Sequence, residues 1–377
     1  MKILYAATIH FSRSPVYNVT PLTKILESID VPFFNETESQ ASFVHTATNL
    51  YIPTLRFLLS QDIKCNLIFT GDFLEYSQKY YPEIIELILQ LIDKKIIKII
   101  ADAFYGESAS CIYSASWWSQ SIHKTLHSIE TILGIKPKNI FLPQLFRSLE
   151  LERVFDKQRK YTFVLRQKGK KYSNFSMKLS ELRRFNGNHV SWINEENDFE
   201  CDFRVIPDTD YFFANGNLFQ PNLEKAAKSF ALAAGFVASD YDVKKDTKKI
   251  RTFLQTPRIT EYPSLGLYSS MERATLRLWE YGLVLITNRL QHKPTLELIK
   301  LSKDFGLLQN SLFFFYLNKS IYLSGKVTNF SSPYEAFVSM QVRIKQVEIL
   351  LDKKEEEPDI SDNSNKKIAH SQNKIIN

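Results

Sequence analysis

The sequence is poor in the features that mark secreted and membrane proteins. Its three cysteines, an odd number without close spacing, do not form a disulfide framework. No stretch approaches the ~20 apolar residues that a membrane-spanning helix needs. The apolar start of the chain is interrupted by His10 and Arg13, so it is too short for a signal peptide. These absences favour a cytoplasmic protein in a reducing compartment, and they predict no membrane partner.

Motifs for nucleic acids, nucleotides and metals are missing as well. The net charge of +7 is modest for 377 residues, and short basic runs such as Lys168–Lys171 are typical of solvated loops. His123 and His127 have the spacing of a zinc-binding pair, but Lys124 stands where the metalloprotease motif needs Glu. We therefore predict no nucleic-acid partner, no metal and no cofactor.

Short apolar runs alternate with amphipathic helical patterns in the first part of the chain. The pattern predicts a helix at Trp117–Leu133. It predicts buried strands at Lys2–Ile9, Cys65–Phe69, Ile96–Ala101 and Asn139–Leu142. Strand, loop, helix and strand recur about every 35 residues, which predicts an α/β fold of parallel strands joined by right-handed helical crossovers.

Polar residues follow each predicted strand. His10 follows the first, a loop at Thr70-Gly71-Asp72 follows the second, Asp102 and Tyr105 follow the third, and Gln144 follows the fourth. Barrel enzymes place their sites at the carboxyl ends of parallel strands. We therefore expect a functional site at this edge of the sheet.

The later part of the chain has a different pattern. Tyr161–Phe219 holds short runs interrupted by polar residues, which indicates an insertion or an irregular half of the barrel. Helices are predicted at Met271–Gln291, Pro294–Asp304 and Pro333–Leu351. The predicted division of the chain is a barrel-like domain at 1–260, a helical domain at 261–351 and a disordered tail at 352–377.

Several short motifs follow one another in a characteristic order. They are Phe69–Glu75 continued by Tyr81–Leu87, Asp102–Ser108, Gly134–Pro137, Phe141–Arg147 and, near the far end, Ser332–Phe337. Together they resemble glycoside hydrolase family 57, the α-amylase-like group. The resemblance implies an incomplete (β/α)7 barrel followed by a C-terminal helical domain, in a protein that processes α-1,4-glucans.

The resemblance also places Gln144 at the position of the catalytic nucleophile. A retaining glycosidase needs two carboxyl groups roughly 5 Å apart, and the family's nucleophile is the Glu of its "NTEL" motif. An amide cannot form the glycosyl-enzyme ester, and losing a nucleophile costs on the order of 5 kcal/mol in the reaction barrier. The alignment therefore predicts a copy that is impaired in retaining hydrolysis, although the amide can still hydrogen-bond a sugar.

The other candidate site residues also come from the resemblance. Asp240 is the candidate acid/base, with an exposed loop aspartate as the alternative. His10 keeps the histidine of the family's first-strand motif, with a structural histidine as the alternative. Asp102, Tyr105 and Glu107 are candidates to line the sugar pocket, and a surface position is the alternative for Glu107.

Three functional hypotheses follow. The first is a homologue that binds an α-glucan or maltooligosaccharide without normal hydrolysis, or that acts as the partner of an active glycoside hydrolase. The second is an active glycosidase or glucanotransferase in which Glu107, Asp102 or Asp240 replaces the lost nucleophile. The third is a non-catalytic scaffold built on an ancestral barrel.

Overall fold

A computed structural model describes several parts of the chain. They are residues 8–13, 15–28, 30–60, 62, 65–107, 114–142, 162–167, 183–185, 188–194, 202–204, 270–292, 295–310, 313–317 and 330–356. Within these ranges, no helix combines the length and the apolar character that crossing a membrane requires.

Strands and helices alternate from the start of the described chain. The first elements are β1 (Thr8–Phe11), α1 (Leu22–Glu27), α2 (Glu36–Thr46), a π-helical turn (Ala47–Tyr51) and α3 (Ile52–Ser60). The central elements are β2 (Cys65–Phe69), α4 (Gly71–Tyr80), α5 (Glu83–Asp93), β3 (Ile97–Ala101), α6 (Ala115–Leu133) and β4 (Asn139–Leu142).

Four further strands and four helices complete the described structure. The strands are β5 (Thr162–Gln167), β6 (Arg183–Phe185), β7 (Asn188–Asn194) and β8 (Asp202–Arg204). The helices are α7 (Ser270–His292), α8 (Leu296–Leu308), α9 (Phe313–Tyr316) and α10 (Pro333–Glu356).

The eight strands form one sheet in the order β6-β7-β5-β4-β3-β2-β1-β8. Every neighbouring pair is parallel except β6 and β7, which are antiparallel. The predicted parallel α/β fold is therefore confirmed. Among the described strands no pairing joins β6 to β8, so closure into an incomplete seven-stranded barrel stays a prediction.

The prediction of a loop at Thr70-Gly71-Asp72 is wrong, because α4 begins at Gly71 directly after β2. The side chain of Thr70 accepts a hydrogen bond from the backbone N–H of Phe73 and so caps the helix. Gly71 lets the ring of Phe104 approach closely, since a Cβ at this position would lie 2.3 Å from that ring. The helix therefore starts without an intervening loop.

Two large hydrophobic clusters hold the described residues together. The first joins the helix-covered face of β1–β4 to α3–α6, with Leu55, Ile88 and Trp118 among its buried members. The second joins α7–α10 to Tyr17 and Phe33 from the chain after β1. The helical cluster thus includes residues of the segment predicted as the first domain, and the domain division itself stays a prediction.

The predicted end of the last helix at residue 351 lies inside α10, which continues to Glu356. The remainder of the predicted tail, residues 357–377, lies outside the described residues.

Candidate functional site

Neighbouring side chains of the central strands point to opposite faces of the sheet, as strand geometry requires. Phe11, Leu67 and Ile140 belong to the large helix-covered cluster. Ile68, Ile100 and Phe141 form a separate small buried cluster. The ring of His10 packs edge-on against Phe141 with 5.4 Å between ring centroids, so His10 shares this second face.

The side chains of His10 and Asp102 come close together although a third strand lies between the strands that carry or precede them. His10 lies in β1 and Asp102 follows β3, with β2 between them. The Nε2 atom of His10 is 3.0 Å from Oδ2 of Asp102, and both side chains are almost fully buried. This is an ion-pair distance without hydrogen-bond alignment, because among the described residues His10 Nε2 has no partner of suitable geometry. The imidazole therefore keeps unused hydrogen-bonding capacity.

The position of the Asp102 carboxylate is fixed by the backbone around it. Its Oδ1 accepts a 2.7 Å hydrogen bond from the N–H of Ala103. The N–H of Asp102 itself donates to the carbonyl of Phe69 at the end of β2, at 2.9 Å. A buried imidazole and a buried carboxylate can together bind hydroxyl groups and exchange a proton.

Glu107 is buried and already engaged in hydrogen bonds. Its two carboxylate oxygens accept from the Ser121 hydroxyl at 2.7 and 2.9 Å. One of them also accepts from the N–H of Tyr105 at 3.0 Å. Burial raises the pKa of Glu107 to about 7, although these hydrogen bonds act in the opposite direction. With these contacts, the carboxylate organises the loop that follows β3.

Tyr105 lies on that loop, between the sheet and α8. Its ring packs edge-on against Phe104 with centroids 4.8 Å apart. A Cβ on Gly306 would approach the ring to 2.4 Å, so this glycine allows the close contact. Burial raises the pKa of Tyr105, and the phenol is therefore a neutral hydrogen-bonding group at neutral pH.

A buried ion pair at the same edge was not predicted from the sequence. Nε of Arg13, just after β1, is 2.5 Å from Oδ2 of Asp72 at the start of α4. The guanidinium carbon lies 4.1 Å from the ring centroid of Tyr76, whose hydroxyl donates to Glu36. Burial raises the pKa of Asp72, and Arg13 opposes this shift. The sequence signal that could have indicated this pair is position, since Arg13 lies two residues after β1 and Asp72 lies three residues after β2.

The remaining candidate residues, Gln144 and Asp240, lie outside the described residues. Phe141, three positions before Gln144, is buried against His10. Within the described ranges, no three His, Cys, Asp or Glu side chains are grouped so that they could hold a metal ion. The described part of the site thus brings His10 and Asp102 together, and it places Tyr105 and Glu107 on the adjoining loop.

Comparison with solved structures shows what fold this chain is similar to. The 4-alpha-glucanotransferase of Thermococcus litoralis shares 11% identity at a TM-score of 0.51, covering 91% of this chain and 59% of that one. This chain therefore spans less than two thirds of that enzyme, and the likeness shows the fold alone. A GH57 branching enzyme from Thermococcus kodakaraensis shares 11% identity at a TM-score of 0.48, covering 94% of this chain and 92% of that one. The alpha-amylase AmyC of Thermotoga maritima shares 9% identity at a TM-score of 0.47, with 94% of each chain covered.

A match to a protein family covers more of the chain than the motifs do. None of the curated proteins matches the sequence significantly. Residues 14–192 match the family model described as Glycosyl hydrolase family 57. This range contains the motifs from Phe69 to Arg147 and continues into β7, whereas His10 and the motif at Ser332–Phe337 lie outside it. The predicted resemblance to glycosyl hydrolase family 57 is confirmed over residues 14–192.

Proposed function

We propose that this chain binds α-1,4-linked glucans at the carboxyl edge of its sheet and is impaired in retaining hydrolysis. The observation that carries the proposal is the buried His10–Asp102 pair, in which Asp102 belongs to the segment that is similar to family 57 and His10 lies four residues before that segment. This pair lies beside Phe141, three residues before Gln144, the position that the family fills with its nucleophile.

The chemistry of the pair suits a sugar ligand. Sugar hydroxyls both donate and accept hydrogen bonds, so they can bridge an imidazole nitrogen and a carboxylate oxygen. His10 Nε2 is buried and has no aligned hydrogen bond among the described residues, so its ion-pair contact with Asp102 offsets only part of the roughly 1–3 kcal/mol that a buried unpaired polar atom costs. A hydroxyl that enters the site would remove this cost.

The hydrogen bonds of the described carboxylates favour impaired hydrolysis over a relocated nucleophile. Glu107 has both oxygens engaged by Ser121, and one of them also by the Tyr105 N–H. Asp102 is held by the Ala103 N–H and faces His10. A nucleophile must reach the anomeric carbon, and neither carboxylate is presented freely for that purpose.

Binding of maltoheptaose, measured by calorimetry, tests the proposal. We expect saturable binding by the wild-type chain, weakened at least about tenfold by Gln144→Ala, which corresponds to about 1.4 kcal/mol. Gln90→Ala is the matched control, because Gln90 is an exposed amide on α5 and its loss should leave the affinity unchanged. Absence of binding and of turnover in the wild type would leave only the scaffold hypothesis.

A reducing-sugar assay on soluble starch separates impaired hydrolysis from an active enzyme that uses another carboxylate. We expect no turnover by the wild type and a measurable gain in Gln144→Glu, provided that an acid/base such as Asp240 is in place. Turnover by the wild type that Asp240→Asn or Glu107→Gln abolishes would instead establish an active enzyme with a substitute carboxylate.

A further inference from the structure

Asn310 connects the C-terminal helices to the site edge of the sheet. It follows α8 and is buried, with only 1% of its surface exposed. Its side-chain nitrogen donates to the carbonyl of Arg13 at 2.9 Å and to the carbonyl of Tyr105 at 2.8 Å. The first of these contacts joins residues 297 positions apart in the sequence.

The two carbonyls belong to segments that are not neighbours in the sheet. Arg13 follows β1, which carries His10, and Tyr105 follows β3, which leads into Asp102. Strand β2 lies between β1 and β3, so no ladder hydrogen bonds join these two strands directly. The amide of Asn310 therefore bridges the two segments whose separation sets the distance between His10 and Asp102.

The backbone of Asn310 is itself anchored. It forms an antiparallel bridge with Glu107, the buried carboxylate on the loop after β3. Its N–H donates to the carbonyl of Leu307, and its carbonyl accepts from the N–H of Phe313. The backbone of Asn310 is thus hydrogen-bonded to the helical segment around α8 and paired with the loop after β3.

We propose that Asn310 is a positioning residue that sets the geometry of the His10–Asp102 pair. Only an amide of this length supplies two N–H donors from one nitrogen at the end of a short side chain. Aspartate would present oxygen to both carbonyls, and serine would supply a single donor. The consequence for glucan affinity rests on the proposed function, whereas the geometric role does not.

The test compares Asn310→Ala with Gln309→Ala in the full chain. Gln309 is also a buried amide and precedes Asn310 in the sequence, but among the described residues its side-chain nitrogen donates only to the Phe305 carbonyl of α8, at 3.5 Å. The readout is the side-chain ¹H and ¹⁵N NMR resonances of His10, assigned by their loss in His10→Gln. We expect these resonances to move in Asn310→Ala and to stay in place in Gln309→Ala.

Asn310→Ser keeps the proposal testable if Asn310→Ala does not fold. One donor remains in Asn310→Ser, so we expect a smaller displacement of the same resonances. Unchanged His10 resonances in a folded Asn310 variant would overturn the proposal, as would an equal displacement in Gln309→Ala.

Maltoheptaose calorimetry on the same variants separates this proposal from the proposed function. We expect Asn310→Ala to weaken binding at least about tenfold relative to Gln309→Ala. A wild-type chain that binds no glucan contradicts the proposed function, while the His10 resonances still decide whether Asn310 positions the pair.

Discussion

Phe11 and His10 are consecutive residues of β1, yet their side chains lie in opposite surroundings. Phe11 is fully buried among the rings of Tyr51, Phe69 and Phe73, with centroids 5.4–5.7 Å apart. His10 is also buried but faces the carboxylate of Asp102, and its Nε2 forms no aligned hydrogen bond with the residues that the structure describes. The helix-covered face is thus packed with aromatic rings, whereas the other face combines the polar His10–Asp102 pair with the small apolar cluster of Ile68, Ile100 and Phe141.

The largest effect is expected on the apolar face. Replacing Phe11 by Ala removes a fully buried ring, and we expect the free energy of unfolding to fall by about 3–5 kcal/mol. Urea unfolding followed by circular dichroism measures this loss. A loss below about 1 kcal/mol would show that the helix-covered face is not the main source of stability.

The second effect concerns a polar group that is costly to bury. The pKa of Glu107 is about 7 in the folded chain, against an ordinary value of 4.5. The folded state therefore binds more protons in this window, and the free energy of unfolding falls as the pH rises through it. The expected fall is on the order of 3 kcal/mol.

Glu107→Gln isolates this contribution, since the amide has no charge to bury. We expect the variant to gain stability relative to the wild type between pH 5 and pH 8, measured by urea unfolding at each pH. A stability difference between the two proteins that is constant across this range would contradict the raised pKa.

A third, intermediate effect is expected where the loop after β3 meets α4. A Cβ on Gly71 would lie 2.3 Å from the ring of Phe104, so Gly71→Ala should cost about 1–3 kcal/mol through overpacking. Gly134→Ala is the control, because its φ of +68° gives backbone strain of about 1 kcal/mol while no atom lies within 4 Å. Equal melting temperatures for Gly71→Ala and the wild type would mean that the contact is loose.

The smallest effect on stability is expected for His10→Gln. Glutamine keeps a polar group opposite Asp102, so we expect the free energy of unfolding to change by no more than about 1 kcal/mol. Maltoheptaose binding should nevertheless be weakened or lost. A loss of stability as large as that of Phe11→Ala would remove the distinction between the two faces.

Local sequence patterns were sufficient to predict the bounds of elements whose ends depend on neighbouring residues. Strands β2 and β4 have the predicted bounds, because short apolar runs are enclosed by polar residues. Helix α6 ends at Leu133, as predicted, and is followed by Gly134 in the left-handed conformation. No helix was predicted at α4. Its start directly after β2 involves a close contact between Gly71 and Phe104, which is distant in the sequence.

The site was predictable in its place and less so in its contacts. His10 was predicted to follow the first strand, whereas it lies inside β1 (Thr8–Phe11), and its side chain still reaches Asp102 after β3. The partner of Glu107, Ser121, lies on a helix face whose direction no motif reveals. The Arg13–Asp72 pair spans 59 positions, and Asn310 reaches the same edge from almost 300 positions away. Such contacts arise only when separate segments fold together.

The π-helical turn at Ala47–Tyr51 has a consequence for how this edge tolerates deletions. The hydroxyl of Tyr51 donates to the carbonyl of Ser12 at 3.3 Å, so this turn is hydrogen-bonded to the residue that follows β1. A π-turn contains one residue more than the α-helical turn it replaces. The wider turn absorbs this extra residue, so removing one residue there would restore regular α-helical winding with little rotation of the flanking helices. Removing one residue from the regular part of α3 would instead rotate its two halves by about 100° relative to each other.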